Sequence, residues 1–195
     1  MNLALFDFDG TLTVGDSMAK FISYAVGIPN YILGLFATIH HILLYKAKMI
    51  TNDEAKEKLL RHFFGGWPEE KFRIVAEAFS LHEIDKIIRT TAWNRLLWHR
   101  QQGDTVAVVS ASMRYWLEPW CDSHGLLLLC TELASSNGRI TGTFSTPNCH
   151  GPEKVRRIQA YFNLEEFSEI YAYGDSGGDT EMLALAHHAF YRRFS

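Results

Sequence analysis

The sequence predicts an α/β protein: a doubly wound parallel sheet with a helical segment inserted after the first strand. Short apolar runs at 3–6, 105–109, 126–129 and 169–173 read as buried strands of such a sheet. From 105 to about 186 those runs alternate with helical patterns, the order that builds βαβ units. From 16 to about 89 the chain shows helical spacing without a strand signal, although strands flank it on both sides. The expected division is an α/β core of 1–14 and 90–195 and a helical cap of 15–89.

The first strand opens the chain and ends in Asp7-Phe8-Asp9-Gly10-Thr11. Asp16 and Ser17 can cap a helix running to Gly27. Pro29 and Asn30 open a second helix, apolar almost all round over 31–45 and broken mainly by Thr38, His40 and His41. Fifteen residues at ~1.5 Å each cover roughly 22 Å, less than the ~30 Å hydrocarbon core of a bilayer. That helix reads first as the interior of a small bundle, and second as a greasy surface for a lipid or membrane edge. Thr51-Asn52-Asp53 caps a charged helix that stops at Gly65-Gly66. Pro68 then starts helix that continues, with breaks, to about Arg100.

Past Gly103, 105–109 is the second strand, ending at Ser110-Ala111-Ser112, and a helix through Trp116 and Trp120 follows. The leucines of 126–129 form the third. Asn137-Gly138 between two short runs signals a two-residue hairpin. Gly151-Pro152 opens a helix carrying Lys154, 169–173 is the fourth core strand, and 188–194 is the last candidate.

Composition narrows the function. The 195 residues are 47% hydrophobic and 21% charged, an ordinary globular balance. A net charge of −3 without a basic, aromatic-laced stripe excludes an electrostatic case for nucleic acid. Cys121, Cys130 and Cys149 are odd in number and lack CxxC spacing. They point to free thiols in a reducing compartment, the cytoplasm, rather than to disulfides or a zinc site. No basic stretch precedes the first apolar run, so it does not read as a signal peptide.

In doubly wound sheets ligands bind outside the carboxyl ends of the strands. Asp7 and Asp9, Ser110 and Ser112, and Asp175 and Asp179 all fall there. Strand alternation puts Asp7 and Asp9 on one side, where paired carboxylates need a cation, most simply Mg2+. Asp175 adds an oxygen ligand, and Asp179, one helical turn on, faces the same site. Ser110 offers a hydroxyl near a helix N-terminus, and Lys154 a compact positive charge. Taken singly these residues read as a cap, a surface lysine and an acidic turn; their joint placement at several strand ends reads as a phosphate site.

The ordered set Asp7-Phe8-Asp9-Gly10-Thr11, Ser110, Lys154 and Gly174-Asp175-Ser176-Gly177-Gly178-Asp179 resembles the haloacid dehalogenase superfamily. The insert directly after the first motif is similar to the C1-capped branch of subfamily IB, typified by phosphoserine phosphatase. The resemblance implies a Rossmann-like core and an Mg2+-dependent phosphatase working through an aspartyl-phosphate. In it Asp7 is the nucleophile and Asp9 the general acid and base. Mg2+ is held by Asp7, the Asp9 main-chain carbonyl and Asp175, with Asp179 in support. Ser110 and Lys154 bind phosphoryl oxygens; Gly10, Thr11 and Ala111 complete the phosphate-binding set, and Asp16 faces the substrate.

Three departures bear on substrate. Asp16 stands where phosphoserine phosphatases carry a glutamate, Gly178 where they carry an asparagine, and their cap arginine has only Arg61 as a loose counterpart. These argue against phosphoserine itself. The aromatic segment Phe63-Phe64-Gly65-Gly66-Trp67 is bundle core or, failing that, a pocket wall. The expected partner is a small phosphorylated metabolite. The alternatives are a lipid-phosphate (phosphatidylglycerophosphate-like) phosphatase at a membrane surface and a non-catalytic phosphate-binding relative. Gly174-Asp175-Ser176-Gly177-Gly178 also looks like the nucleophile motif of chymotrypsin-like proteases, but those need an all-β double barrel. An EF-hand loop lacks its later ligands, and no GK[ST] triplet exists for a P-loop.

Overall fold

The structure, a computed structural model, describes residues 1–194. In chain order, β1 (Leu3–Phe6) leads into four helices: α1 (Ser17–Val26), α2 (Ile28–Lys46), α3 (Asn52–Phe64) and α4 (Glu69–Glu83). Then come α5 (Thr90–Gln101), β2 (Thr105–Met113), α6 (Arg114–Ser123) and β3 (Leu127–Thr131). A hairpin of β4 (Leu133–Ser136) and β5 (Arg139–Phe144) follows, and the chain ends with α7 (Pro152–Tyr161), β6 (Ile170–Gly174), α8 (Thr180–Leu185) and β7 (His188–Tyr191). Five strands form one parallel sheet in the order β3-β2-β1-β6-β7. The predicted α/β class and doubly wound parallel sheet are what the chain adopts, with the helical segment between the first two strands.

β1 is central, pairing with β2 on one edge and β6 on the other. Its side chains alternate between two apolar layers, and all four residues are buried. Ala4 and Phe6 share one layer with Val106, Val108 and Tyr173. Leu3 and Leu5 share the other with Ala107, Val109 and Ala172, closed over by Ile158 of α7 and Met182 of α8. The order reverses about β1, because the chain builds toward β3 and then crosses back to β6. A crevice therefore opens beyond the carboxyl ends of β1, β2 and β6.

The helical segment does not have a core of its own. Phe21 of α1, Phe64 of α3 and Phe72 of α4 cluster with Trp116 of α6, the Phe21 and Trp116 rings stacking at 4.6 Å. Phe63 and Phe64 are buried there, so the aromatic segment is bundle core rather than a pocket wall. The β4–β5 hairpin turns through Asn137 and Gly138, both at positive φ, as the Asn-Gly dipeptide predicts. The hairpin then docks on the helical segment. Gly66 N–H donates to Ile140 O (2.8 Å), Ile140 N–H to Trp67 O (2.9 Å) and Glu69 N–H to Gly138 O (2.9 Å). Gly142 lies against the Arg61 backbone with no room for a Cβ, at a φ of +81°.

The second helix corrects the first expectation for 31–45. α2 is not a bundle interior. It touches the rest of the protein along a narrow line at Gly34 and Thr38, where a Cβ on Gly34 would run into the Phe63 ring. Its opposite side carries large apolar side chains in the open, with Phe36 69% exposed. A helix that is apolar all round gives no periodic signal of which side is covered, which is why the sequence leaves both readings standing. Among the described residues no single helix is long and apolar enough to cross a membrane. α1 with the first part of α2 passes that test only as a pair bent by 119°.

Gly142→Ala is expected to cost about 2 kcal/mol, combining a disfavoured φ with overpacking against the Arg61 backbone. At this chain length that lowers Tm by roughly 4–8 °C. Thermal melts of the two proteins check it, and an unchanged Tm would mean that the hairpin is not clamped to α3.

Candidate active site

The chain leaves β1 at Phe6, and Asp7 is the first residue beyond the strand, still extended (φ −65°, ψ 160°). Phe8–Leu12 then makes a single wide turn in which Asp9 and Gly10 leave helical dihedrals. Gly10 has two reasons to lack a side chain. Its φ is +82°, and a Cβ there would overlap the Asp175 carboxylate from the end of β6. The missing methyl lets the two loops close on each other.

Lys154, in the first turn of α7, points into the core and is 1% exposed. Its ammonium donates to Asp7 Oδ1 (2.6 Å), to Asp179 Oδ1 (2.6 Å) and to Val109 O (2.7 Å). Three donors thus meet three acceptors, and three segments far apart in sequence are tied at one nitrogen. The other Asp179 oxygen accepts from the N–H groups of Asp175 (3.2 Å) and Ser176 (3.0 Å) and from the Ser176 hydroxyl (2.9 Å). Asp7, Asp175 and Asp179 each bring a carboxylate oxygen within 4.8 Å of the other two.

Electrostatics mark this trio as short of positive charge. Burial pushes the Lys154 ammonium toward neutrality, but Asp7 and Asp179 outweigh it and hold the lysine charged. Burial would raise Asp179, yet Lys154 wins and keeps it below the usual carboxylate range. For Asp7 the same lysine does not suffice: burial, with Asp179 and Asp9 nearby, lifts it to about 7 despite Lys154. Asp175 is raised as well, by burial and then by Asp179. Three oxygen donors around an uncompensated negative site suit a hard divalent cation.

Asp9 departs from the sequence expectation. Its carboxylate turns away from the trio: Oδ1 accepts from Ser17 N–H at the start of α1 (2.6 Å) and Oδ2 from the Ser112 hydroxyl (2.5 Å). Alternation failed because the strand ends at Phe6, before the pair, and Asp9 lies in a turn. Asp9 is buried, and its pKa is raised by that burial and by Asp16. Both acids still face one cleft of about 440 Å³, whose walls include Asp16, Met18, Tyr45, Asn52, Lys56, Ser110, Ala111, Ser112, His150, Lys154 and the loop 176–179.

The remaining predicted residues divide. Ser110, Ala111 and Lys154 reach the cleft; the Ser110 oxygen accepts from Ser112 N–H (3.0 Å) at a bulge near the end of β2. Asp16 is on its rim and caps α1 through Ala19 N–H (2.9 Å). Gly10 and Thr11 lie behind the wall. The Gly10 N–H is directed to Thr13 Oγ1 and Gly15 O, and the fully buried Thr11 donates its hydroxyl toward Asp175 (3.5 Å). Arg61 does not line the cleft; its backbone sits under the hairpin at Gly142. A Cβ at Gly178, where phosphoserine phosphatases carry an asparagine, would overlap the His150 imidazole and require it to shift.

Sequence reasoning missed two basic residues. Lys56 of α3 reaches across to Ala111 O (3.3 Å), a cation from the helical segment over the end of β2. Arg89 braces the acidic loop from behind, donating to the carbonyls of Gly10 (3.0 Å), Thr11 (3.2 Å) and Thr13 (3.4 Å). Neither lies in a motif. Lys56 is one lysine among several on a charged helix, and Arg89 marks only the boundary where the helical segment returns to the core.

The family model for haloacid dehalogenase-like hydrolases matches residues 4–184. The chain belongs to that family. Protein CicA of Caulobacter vibrioides is 34% identical over 200 aligned positions, covering 98% of this chain and 86% of that protein. Among solved structures, a protein with unknown function from Bordetella pertussis Tohama I superposes with a TM-score of 0.80 at 24% identity, over 95% of this chain and 86% of that one. A phospho-aspartyl intermediate analogue of phosphoserine phosphatase gives a TM-score of 0.67 at 19% identity, over 95% and 83%. Membership of this hydrolase family, with a fold shared by phosphoserine phosphatases, supports a phosphoric monoester hydrolase with an acidic cluster able to hold a metal.

Two variants probe the assembly. Lys154→Met leaves Asp7 and Asp179 facing each other without their cation, an expected loss of about 3–5 kcal/mol at neutral pH. Without Lys154 both carboxylates have folded pKa values above their unfolded ones. The deficit should therefore shrink as pH falls from the raised folded pKa values toward about 4, below which unfolded carboxylates also hold their protons. Urea titrations in EDTA at pH 7 and pH 4 read this, and an equal deficit at both would contradict it. Arg89→Ala removes three charged hydrogen bonds and should speed amide exchange over 10–15; unchanged exchange there would show the brace to be idle.

Proposed function

We propose that this chain is an Mg2+-dependent phosphatase that hydrolyses a phosphomonoester through an aspartyl-phosphate on Asp7. The observation that carries the reading is the buried Lys154 ammonium shared by Asp7 and Asp179, with Asp175 alongside. In this reading residues 1–14 and 90–195 form the core, and 15–89 a helical cap over the strand ends.

Asp7 is the nucleophile. Lys154 engages Oδ1, which leaves Oδ2 to form the new bond to phosphorus while the bond from phosphorus to the leaving alkoxide breaks. Asp9 gives that alkoxide a proton; burial and Asp16 raise its pKa enough to carry one, against the Ser17 N–H and Ser112 hydroxyl, which favour the ionised form and hold the carboxyl in place. In the second half, Asp9 takes a proton back from the attacking water, and Asp7 is released with inorganic phosphate. Ser110 and the Ala111 loop bind the phosphoryl oxygens; Lys154, its three donors held by Asp7, Asp179 and Val109 O, acts on the phosphoryl group through its charge, and Lys56 adds positive charge from the cap side. Gly10 and Arg89 act on the acidic loop through the backbone, and Thr11 acts on Asp175 through its hydroxyl, rather than on the phosphate. Asp7 and Asp175 would hold the Mg2+, with Asp179 in support. When bound, the ion supplies charge that shields the carboxylate from the incoming phosphate.

Asp7→Asn should lower hydrolysis of p-nitrophenyl phosphate by at least ~10³-fold, because an amide oxygen is a poor nucleophile. Asp9→Asn should slow turnover by roughly 10²–10⁴-fold and let phosphoenzyme accumulate. EDTA should silence the wild type, and Mg2+ restore it. Asp7→Asn turning over at the wild-type rate would sink the assignment. A panel of metabolite phosphates then ranks substrates.

A further inference from the structure

The exposed side of α2 is the feature the hydrolytic reading leaves unexplained. Ile28, Ile32, Phe36, Ile39 and Leu43 recur every three or four residues and form one stripe along the helix, with Leu33 beside it. Each is largely open to solvent; Leu33 and Ile28 are both 66% exposed and Leu43 is 58%. Contiguous apolar surface of this kind is uncommon on monomeric proteins and marks a docking face.

Charge says what kind of face it meets. No aspartate or glutamate occurs between Asp16 and Asp53, although acids outnumber lysines and arginines in the whole chain, which is −3. The same stretch carries Lys20, Lys46 and Lys48, the last two exposed at the end of α2. A lysine-flanked, acid-free apolar helix on an otherwise acidic protein complements an anionic lipid surface. Geometry agrees. α2 is 19 residues long and sharply bent from α1, so it suits lying in an interface rather than crossing one.

The cleft opens near the C-terminal end of the same helix. Tyr45, near the end of α2 and on its Gly34–Thr38 side, and Met18, in α1, both line it. A bilayer touching the α2 stripe would therefore lie one helix width, ~10 Å, from the cleft wall at Tyr45.

We propose that the exposed face of α2 docks on an anionic lipid bilayer and presents the cleft to phosphomonoesters carried on lipids. The substrate half rests on the hydrolytic assignment above; the docking half does not.

The experiment pairs vesicle sedimentation with two activity assays, using the intact chain and a Leu33→Glu/Phe36→Glu variant. Both substitutions are on open surface outside the cleft, so melting temperature and p-nitrophenyl phosphate turnover should be unchanged. Wild type should pellet with phosphatidylglycerol–phosphatidylcholine vesicles, several-fold less with phosphatidylcholine alone, and the variant should stay in the supernatant. With phosphatidic acid in the vesicles, wild type should release phosphate and the variant at least tenfold less. Equal sedimentation of the two proteins overturns the docking. So does a wild-type dimer in solution that the variant breaks, because a second copy would then be what covers α2. Docking without phosphatidic acid turnover, in a preparation active on p-nitrophenyl phosphate, overturns the lipid-substrate half. Loss of p-nitrophenyl phosphate activity in wild type, with docking intact, counts instead against the hydrolytic assignment.

Discussion

A lysine ammonium buried between two carboxylates is the constraint on which the site depends. Removing an ion from water costs several kcal/mol, and only close, fully satisfied partners offset it. Lys154 meets that requirement with three acceptors at 2.6–2.7 Å, drawn from the end of β1, from β2 and from the start of α8. The nitrogen is thus a spatial reference for Asp7 and Asp179. It is also an incomplete neutraliser, since one positive charge faces three carboxylates. The rise of Asp7 to about 7 comes first from burial, with Asp179 and Asp9 adding to it against Lys154. The same arrangement that fixes the acids therefore creates the demand for a further cation.

The second constraint is steric. Gly10, Gly174 and Gly178 occupy positions where any Cβ would run into Asp175, Asp179 and His150 respectively. The acids approach each other because the opposing backbone carries nothing. Arg89 extends this logic to the rear of the loop, where it gathers three carbonyls that the wide turn leaves without partners from a regular helix or strand. Packing does the same for the helical segment. Phe21, Phe64 and Phe72 join Trp116 in one cluster, and the β4–β5 hairpin adds backbone hydrogen bonds across the junction.

Much of this was legible in the residues. Short apolar strands ending in acids gave the sheet, its polarity and the edge where chemistry belongs, because the alternation of strand and helix leaves few topologies. Asp7, Asp175, Asp179 and Lys154 were readable because each sits at a strand end or helix start. What stayed hidden depends on distance across the fold. The Asp9 carboxylate turns toward Ser17 and Ser112 through a turn that periodicity does not describe. Lys56 and Arg89 act through main-chain carbonyls, which leave no motif. The exposure of α2 was hidden for a different reason: an all-apolar helix carries no face signal, and only its narrow contact at Gly34 and Thr38 decides how much of it is covered.

The central position of β1 has a consequence for how the molecule comes into being. Its two hydrogen-bonding edges are completed by β2, about a hundred residues later, and by β6, later still. During synthesis the opening strand therefore waits with both edges bare while the helices emerge, and the partners it finally takes are among the most distant in the chain. Such long-range pairing makes for slow folding. The acidic pocket, needing the loop after β6, is among the last parts to exist.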